Sequence, residues 1–354
     1  MNRFVAIFST AVLTLSLLSG CGKAEDKAKP DQQPAAEQPQ DNKQAAADDP
    51  LAMFPAITLP YTANENDVFS EYQGGKVTAK EFNTFLKTLN LVNPQQGSMI
   101  SAADENSLKS FIREYTGTKI LAAKADEKMK QDAHKLSATT FERIKGQYVQ
   151  MLGNDESKFA KLLEGHGLTS DEVMAELDLI NSSVAVLKKD ISEDTLKQDY
   201  EKADKAEFTV ASVRHILITT DNHTQEEALK LANDMVARLK KGEDFAALAK
   251  QYSEDPGSKD NGGLYENANV NQWVPEFKQA ALTLPIGQIS EPVKTDYGYH
   301  VMKVESRNVQ TFEEVKDQLA QSELQKSYEQ FMGSDLDKQI TKYNVPKLNA
   351  AASK

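Results

Sequence analysis

Two histidines frame one segment in the second half of the chain. His215 lies in the RHIL run at 214–217, and His300 lies in the YGYHV run at 297–301. Imidazole titrates near neutral pH, so a histidine pair can supply a general acid and a general base. A lone histidine in a strand is more often structural, and the sequence leaves both interpretations open. Asp255 lies between the two and precedes Pro256, where it could place a negative charge in a site or simply begin a turn.

The elements around these residues can be predicted from pattern. Residues 210–219 are rich in β-branched residues and indicate a strand, whereas residues 225–241 carry apolar residues at helical spacing and end before Gly242. A second short helix follows, and then proline and glycine impose a loop. Residues 291–295 and 299–305 are typical of a hairpin. The pattern predicts an α+β domain with a sheet of about four short strands.

Other function classes are disfavoured by composition and spacing. The formal net charge of −12 argues against a nucleic-acid partner and against adhesion to anionic lipid headgroups. His134, His166 and His223 have no spacing that indicates a metal site with the other two histidines, so we expect no zinc. The Gly-Gly pairs are typical of turns and not of phosphate loops. A solute-binding protein would need a two-lobed α/β pattern, which the sequence lacks.

The N-terminus carries signals of export and anchoring. Residues 4–18 form an apolar run after Arg3 that is too short for a comfortable transmembrane span, and small residues and Cys21 follow. The LSGC run at 18–21 resembles the lipobox of bacterial lipoproteins, in which the cysteine is lipidated. An ordinary signal peptide with an incidental cysteine is the alternative. Cys21 is the only cysteine, so a disulfide within the chain is excluded. Two or three acyl chains would hold the protein stably at a membrane.

The sequence predicts six segments. Residues 1–20 are the signal peptide, and 21–60, rich in Ala, Gln, Asp, Lys and Pro, are a disordered tether. Residues 61–205 are helical after a short hairpin, with capping boxes at Thr78 and Thr169. Residues 206–306 are the α+β domain. Residues 307–345 are a C-terminal helix whose apolar stripe runs from Phe312 to Ile340, and 346–354 are a disordered tail.

Five blocks in the segment from 214 to 300 carry a family resemblance. They are RHIL at 214–217, the run from 242 to 256 that ends in YSEDP, GGL at 262–264, VPEF at 274–277 and TDYGYH at 295–300. In this order they resemble the parvulin-type peptidyl-prolyl isomerases. The resemblance implies rotation about the amide bond that precedes proline, whose barrier is ~18–20 kcal/mol. No bond is broken in that reaction and no cofactor is implied.

The resemblance also implies roles for individual residues. His215, His300 and Thr295 would form a hydrogen-bond network that orders the catalytic site, and Asp255 would act electrostatically near the substrate carbonyl. Amide rotation requires no proton transfer, so an acid–base role for the histidines is rejected. The proline ring would be bound by the side chains of Leu264, Trp273 and Phe277, with Tyr297 at one edge. Leu264 and Phe277 could instead be ordinary core residues. The family usually has Met at the position of Trp273, which implies an altered proline site.

The arrangement of the whole chain resembles the PrsA-type extracytoplasmic foldase lipoproteins. In that family the N- and C-terminal helices pack into one chaperone domain with the isomerase inserted between them. The resemblance implies a foldase at the extracytoplasmic face of the cell membrane, anchored through Cys21, with unfolded or partly folded secreted polypeptides as partners. The alternative is a holdase chaperone with a weakly active or inactive parvulin domain. Monomer and homodimer both stay open.

Overall fold

The computed structural model describes residues 50–349, which form two compact units. Unit 1 contains the described residues up to Ile191 and from Ser322 onward, and unit 2 is Ser192–Gln321. The predicted signal peptide, Cys21 and most of the predicted tether lie outside the described residues.

Numbered in chain order, the α-helices are α1 Ala79–Val92, α2 Gln95–Ser101, α3 Glu105–Ala122, α4 Glu127–Met151, α5 Glu156–Gly165, α6 Ser170–Lys188, α7 Glu193–Lys202, α8 Gln225–Lys240, α9 Phe245–Tyr252, α10 Pro275–Thr283 and α11 Phe312–Gln330. The strands are β1 Val68–Tyr72, β2 Gly75–Thr78, β3 Thr209–Thr219, β4 Leu264–Asn269, β5 Val293–Thr295, β6 Gly298–Val309 and β7 Ile340–Tyr343.

Two helices of unit 1 begin where the sequence predicts them to begin. Thr78 and Glu81 form a reciprocal capping box at the start of α1, and Thr169 and Glu172 form another at the start of α6. In α1 the residues at helical spacing, Phe82, Phe85, Leu86 and Leu89, are fully or almost fully buried. They join an aromatic cluster in which the rings of Phe85 and Tyr115 stack 4.5 Å apart. Among residues 50–349, none of the helices combines the length and apolar character needed to span a membrane.

The C-terminal segment differs from the predicted helix over 307–345. Helix α11 ends at Gln330, a short π-helical turn follows at Phe331–Asp335, and Ile340 then begins strand β7. This strand pairs with β1 in a three-stranded antiparallel sheet of order β2-β1-β7. The prediction of a helix through Ile340 is wrong because β1 offers a free edge, and the backbone of β7 satisfies its hydrogen bonds there.

The ends of the described chain are more ordered than predicted. Leu51 and Phe54 pack against one core cluster of unit 1, and Ile57 and Leu59 pack against another. The tether therefore does not extend to residue 60. Leu348 likewise forms a β-bridge with Tyr61, so residues 346–349 are not part of a disordered tail. These apolar residues lack any period, which explains why pattern alone assigned them to linkers.

Unit 1 contains two buried carboxyl groups whose pKa values are raised. Glu114 accepts a hydrogen bond from the hydroxyl of Tyr328 at 3.1 Å, and Glu176 accepts one from Tyr115 at 3.0 Å. Burial raises the pKa of each carboxyl group to about 8. The carboxyl groups therefore stay protonated in the folded state at pH values above 4.5, the ordinary pKa of glutamate, at which they lose their protons in the unfolded state.

We expect the free energy of unfolding of unit 1 to fall as the pH rises from about 4.5 to about 8, by about 1.4 kcal/mol per pH unit for each carboxyl group. Urea denaturation of the full-length chain at several pH values measures this slope. Glu114→Gln with Glu176→Gln should flatten the slope, whereas Glu142→Gln, at an exposed position on α4, should leave it unchanged. An unchanged slope in the double variant would contradict the assignment.

Unit 2 is built on a four-stranded antiparallel sheet of order β4-β3-β6-β5. The predicted four-stranded α+β architecture is confirmed, although β3 and β6 are longer than expected. One face carries Ile216 and Val301 and packs against α8 and α9, and the other carries Val213 and Met302 and packs against α10. Unit 2 also extends beyond the predicted range of 206–306 at both ends. Tyr200 of α7 contacts the rings of Phe208 and Phe312, at 4.9 and 6.0 Å between centroids.

Candidate active site

The central strands of unit 2 bring the two histidines together. In the antiparallel register of β3 and β6, His215 lies opposite Met302 and His300 lies opposite Leu217, so both rings project from the same face. The rings stack at 5.2 Å between centroids, with Nδ1 of His215 3.0 Å from Nδ1 of His300. Their exposed fractions are only 2% and 5%. A single proton shared between the two Nδ1 atoms satisfies this contact.

A hydrogen-bond chain extends from both ends of the pair. Nε2 of His215 lies 3.1 Å from Oδ2 of Asp255 and 2.9 Å from Oγ of Ser258, and Nε2 of His300 lies 3.0 Å from Oγ1 of Thr295. If Asp255 is ionised and both rings are neutral, one direction of donation satisfies every contact. Thr295 donates to His300, His300 to His215, and His215 to Asp255 and Ser258.

The electrostatics of the chain favour this arrangement. Burial alone would raise the pKa of Asp255, but hydrogen bonds from His215, Ser258 and Tyr265 outweigh it and hold that pKa well below its usual range. For His300, burial and then the neighbouring His215 lower the pKa to about 3. Burial and the Asp255 charge raise the pKa of Tyr265 to about 12. At neutral pH the structure therefore holds an anionic Asp255, a neutral His300 and a protonated Tyr265.

These values predict acid sensitivity in unit 2. The pKa of His300 is about 3 in the folded state and near 6.5 in the unfolded state, so the stability that its neutral form contributes is lost as the pH falls from about 6.5 towards about 3. Asp255 acts in the same direction below its ordinary pKa. We expect His300→Gln to reduce this loss of stability. The measurement is denaturation of the full-length chain at several pH values, with the unfolding transition of unit 2 as the readout. His223→Gln, in the same unit, is the control. Equal acid sensitivity of His300→Gln and wild type would refute the assignment.

The loop that carries Asp255 is fastened to β3. Ser253 is fully buried, and its Oγ accepts hydrogen bonds from the backbone N–H of Leu217 at 3.2 Å and of Asp255 at 3.3 Å. The N–H of Glu254 also donates to the carbonyl oxygen of Leu217 at 2.8 Å. These bonds fix the position of the carboxylate relative to the histidines.

Aromatic rings form a wall beside the network. Phe277 of α10 meets both imidazoles edge to face, at 5.2 Å from His215 and 5.1 Å from His300. Trp273 lies 5.1 Å from Phe277 and is partly buried against the same core cluster. Tyr297, at the tip of the β5–β6 hairpin, is 62% exposed, and its backbone N–H donates to Oγ1 of Thr295 at 3.2 Å. The structure thus brings His215, His300, Thr295, Asp255, Trp273 and Phe277 together and leaves the side chain of Tyr297 at the surface.

Leu264 faces away from this wall. In the β3–β4 register Leu264 lies opposite Arg214 and Tyr265 lies opposite Val213, so Tyr265 shares the face of His215. The ring of Tyr265 stacks on that of His215 at 5.4 Å between centroids. The prediction that Leu264 joins Trp273 and Phe277 at the site is therefore wrong on this register, and Tyr265 lies on the face of His215 instead. Sequence reasoning also missed Ser258. Strand alternation after the Gly-Gly pair was the available signal for Tyr265, and nothing local marked Ser258.

The sheet, the helices on its two faces and the histidine network define the class of protein. Residues 199–308 match the family model described as "PPIC-type PPIASE domain". The protein is a parvulin-type peptidyl-prolyl cis-trans isomerase.

Similarity to curated proteins extends beyond this domain. The foldase protein PrsA of Caldanaerobacter subterraneus subsp. tengcongensis is 34% identical over 266 residues, which cover 72% of this chain and 78% of the relative. PrsA 4 of Bacillus cereus is 31% identical over 65% of this chain and 75% of the relative. The chain therefore belongs to the PrsA foldase family. A crystal structure of PrsA from Bacillus cereus aligns with 78% of this chain and 92% of its own, with 26% identity and a TM-score of 0.40.

Proposed function

We propose that this foldase is anchored by lipid at Cys21 to the extracytoplasmic face of the cell membrane and isomerises Xaa-Pro bonds in secreted polypeptides as they fold. The observation that carries the site assignment is the edge-to-face contact of Phe277 with both imidazoles, while Asp255 lies at the far end of the same network. An apolar surface and a fixed charge thus lie side by side.

This arrangement matches the physical requirements of amide rotation. The planar amide is held by a charge-separated resonance form, which a drier site disfavours. The aromatic wall of Tyr265, Trp273 and Phe277 would hold the proline ring, and the Asp255 carboxylate near the substrate carbonyl would oppose negative charge on its oxygen. A barrier lowered by about 5–6 kcal/mol would speed rotation ~10⁴-fold. The buried histidines and Thr295 keep these groups in place and transfer no proton.

The assay that tests the site is Xaa-Pro exchange in a short peptide with the full-length chain, with His215→Ala and His300→Ala beside the wild type. We expect wild type to accelerate exchange and both variants to be slower. An unchanged exchange rate with folded wild-type protein would leave the holdase as the better interpretation.

The anchor is supported by the LSGC run and the position of the only cysteine, and Cys21 itself lies outside the described residues. Growth of the source cells with labelled palmitate tests it. Label on the wild-type chain and none on Cys21→Ser is the expected result. Label that survives Cys21→Ser would refute the anchor.

Client binding is assigned to unit 1, which has cores of its own that are distinct from the isomerase sheet. Aggregation of an unfolded secreted protein should be suppressed by full-length protein whether or not its isomerase is inactivated. Loss of protection in a folded His215→Ala variant would contradict this assignment and place client binding at the isomerase site.

A further inference from the structure

Tyr265 is joined to the site by its ring and by its hydroxyl group. The ring lies on the imidazole of His215 with 23° between the planes, and the hydroxyl donates to Oδ2 of Asp255 at 3.0 Å. A single side chain thus contacts both ends of the His215–Asp255 pair. Neither the aromatic wall nor the histidine chain by itself requires that hydroxyl.

Donors from three separate segments converge on one oxygen of Asp255. His215 approaches from β3 at 3.1 Å, Tyr265 from β4 at 3.0 Å, and Ser258 donates from the loop. Among the hydrogen bonds of residues 50–349, these are the side-chain donors to Asp255, and all of them reach Oδ2. A carboxylate held by three donors at one oxygen is fixed in orientation.

Gly257 provides the space that the hydroxyl occupies. A Cβ atom added there would lie 2.6 Å from the Tyr265 hydroxyl oxygen but 3.6 Å from the adjacent ring carbon. The φ angle of Gly257 is not in the positive range, so alanine meets no backbone strain. The hydroxyl is thus the only atom of Tyr265 that an alanine at 257 would displace.

We propose that Tyr265 is a positioning residue of the isomerase, whose hydroxyl holds the Asp255 carboxylate against His215 in a space left open by Gly257. The inference rests on the proposal that Asp255 acts in isomerisation. If Tyr265 has this role, Tyr265→Phe keeps the aromatic ring in place but slows isomerisation, because the Asp255 carboxylate loses a hydrogen bond.

The test uses the full-length chain as Tyr265→Phe, Gly257→Ala and the double variant. We expect Tyr265→Phe to lower kcat/KM about tenfold, mainly through kcat, and Gly257→Ala to act in the same direction. In the Tyr265→Phe background Gly257→Ala should cost nothing further, because the group it displaces is absent. Tyr252→Phe, which removes a hydroxyl on α9 of the same unit, is the matched control and should retain wild-type activity.

A second readout separates positioning from simple structural support. The carboxyl ¹³C signal of Asp255, followed through a pH titration, should show protonation at higher pH in Tyr265→Phe and Gly257→Ala than in wild type, because each loses a donor that stabilises the anion. An unchanged titration, or Gly257→Ala costing the same with and without the hydroxyl, would overturn the proposal. If Asp255→Ala were fully active while the titration still moved, the proposed role of Asp255 would fail and the positioning contact would stand.

Discussion

Replacing Asp255 with alanine should lower kcat/KM for Xaa-Pro isomerisation about 10- to 100-fold. The carboxylate accepts side-chain hydrogen bonds from His215, Ser258 and Tyr265, and a hydrogen bond to a charged group contributes about 1.5–3 kcal/mol. Removing it leaves three buried or half-buried donors without their acceptor and takes away the fixed charge of the site. A loss of that size in the transition state corresponds to the stated range in rate.

Asp255→Asn separates two explanations for that effect. The amide keeps the shape and one acceptor oxygen but loses the negative charge. If the charge drives catalysis, Asp255→Asn should be nearly as slow as Asp255→Ala, whereas a purely structural role would leave most of the activity in Asp255→Asn. Asp234→Ala, at an exposed position on α8, controls for the loss of a carboxylate elsewhere in unit 2. A folded Asp255→Ala protein with wild-type kcat/KM would remove Asp255 from the mechanism.

Alanine at Gly298 or Gly263 should destabilise unit 2 by about 2–6 kcal/mol, the sum of backbone strain and overpacking. Gly298 has φ +137°, and an added Cβ would lie 2.1 Å from the carbonyl oxygen of Ile218. Gly263 has φ +77°, and its Cβ would lie 2.2 Å from the carbonyl oxygen of His215. Both glycines border β3 at close backbone contacts, so neither neighbour can give way without breaking the sheet.

Gly287 provides the matched control. Its φ of +84° disfavours alanine as much as the φ of Gly263 does, but nothing lies within 4 Å of the added Cβ. We therefore expect alanine at this position to lower the free energy of unfolding by about 1–2 kcal/mol, from backbone strain alone. Chemical denaturation of the full-length chain, with isomerase activity as the reporter of unit 2, measures all three variants. Equal losses at the three positions would show that backbone strain, and not close approach to β3, accounts for the effect.

Local patterns predicted much of this fold. The capping boxes at Thr78 and Thr169, the helix over Gln225–Lys240 and the hairpin whose second strand carries His300 were all predicted correctly, because helix caps, apolar periodicity and turn residues act over a few neighbouring positions. The residue blocks that carried the parvulin resemblance lie in order along the chain, and the family comparison agrees with them.

The site was predicted incompletely because its remaining parts depend on register and on distant contacts. Leu264 and Tyr265 are neighbours, and a shift of one residue in a strand exchanges the two faces of the sheet. Only the pairing of β4 with β3 decided that Tyr265 faces His215. Ser258 reaches His215 across 43 positions, and no local pattern encodes that contact.

The same distinction holds for the whole molecule. The sequence by itself determined many of the helices and the four strands of unit 2, which residue types could form an isomerase site, and the family to which the chain belongs. Tertiary structure alone decided that Ile340 joins a sheet with β1, that Glu114 and Glu176 are buried, and that Tyr265 reaches Asp255. The physical reason is that secondary structure follows from interactions between near neighbours, whereas strand pairing, burial and the resulting pKa shifts arise only when distant segments pack together.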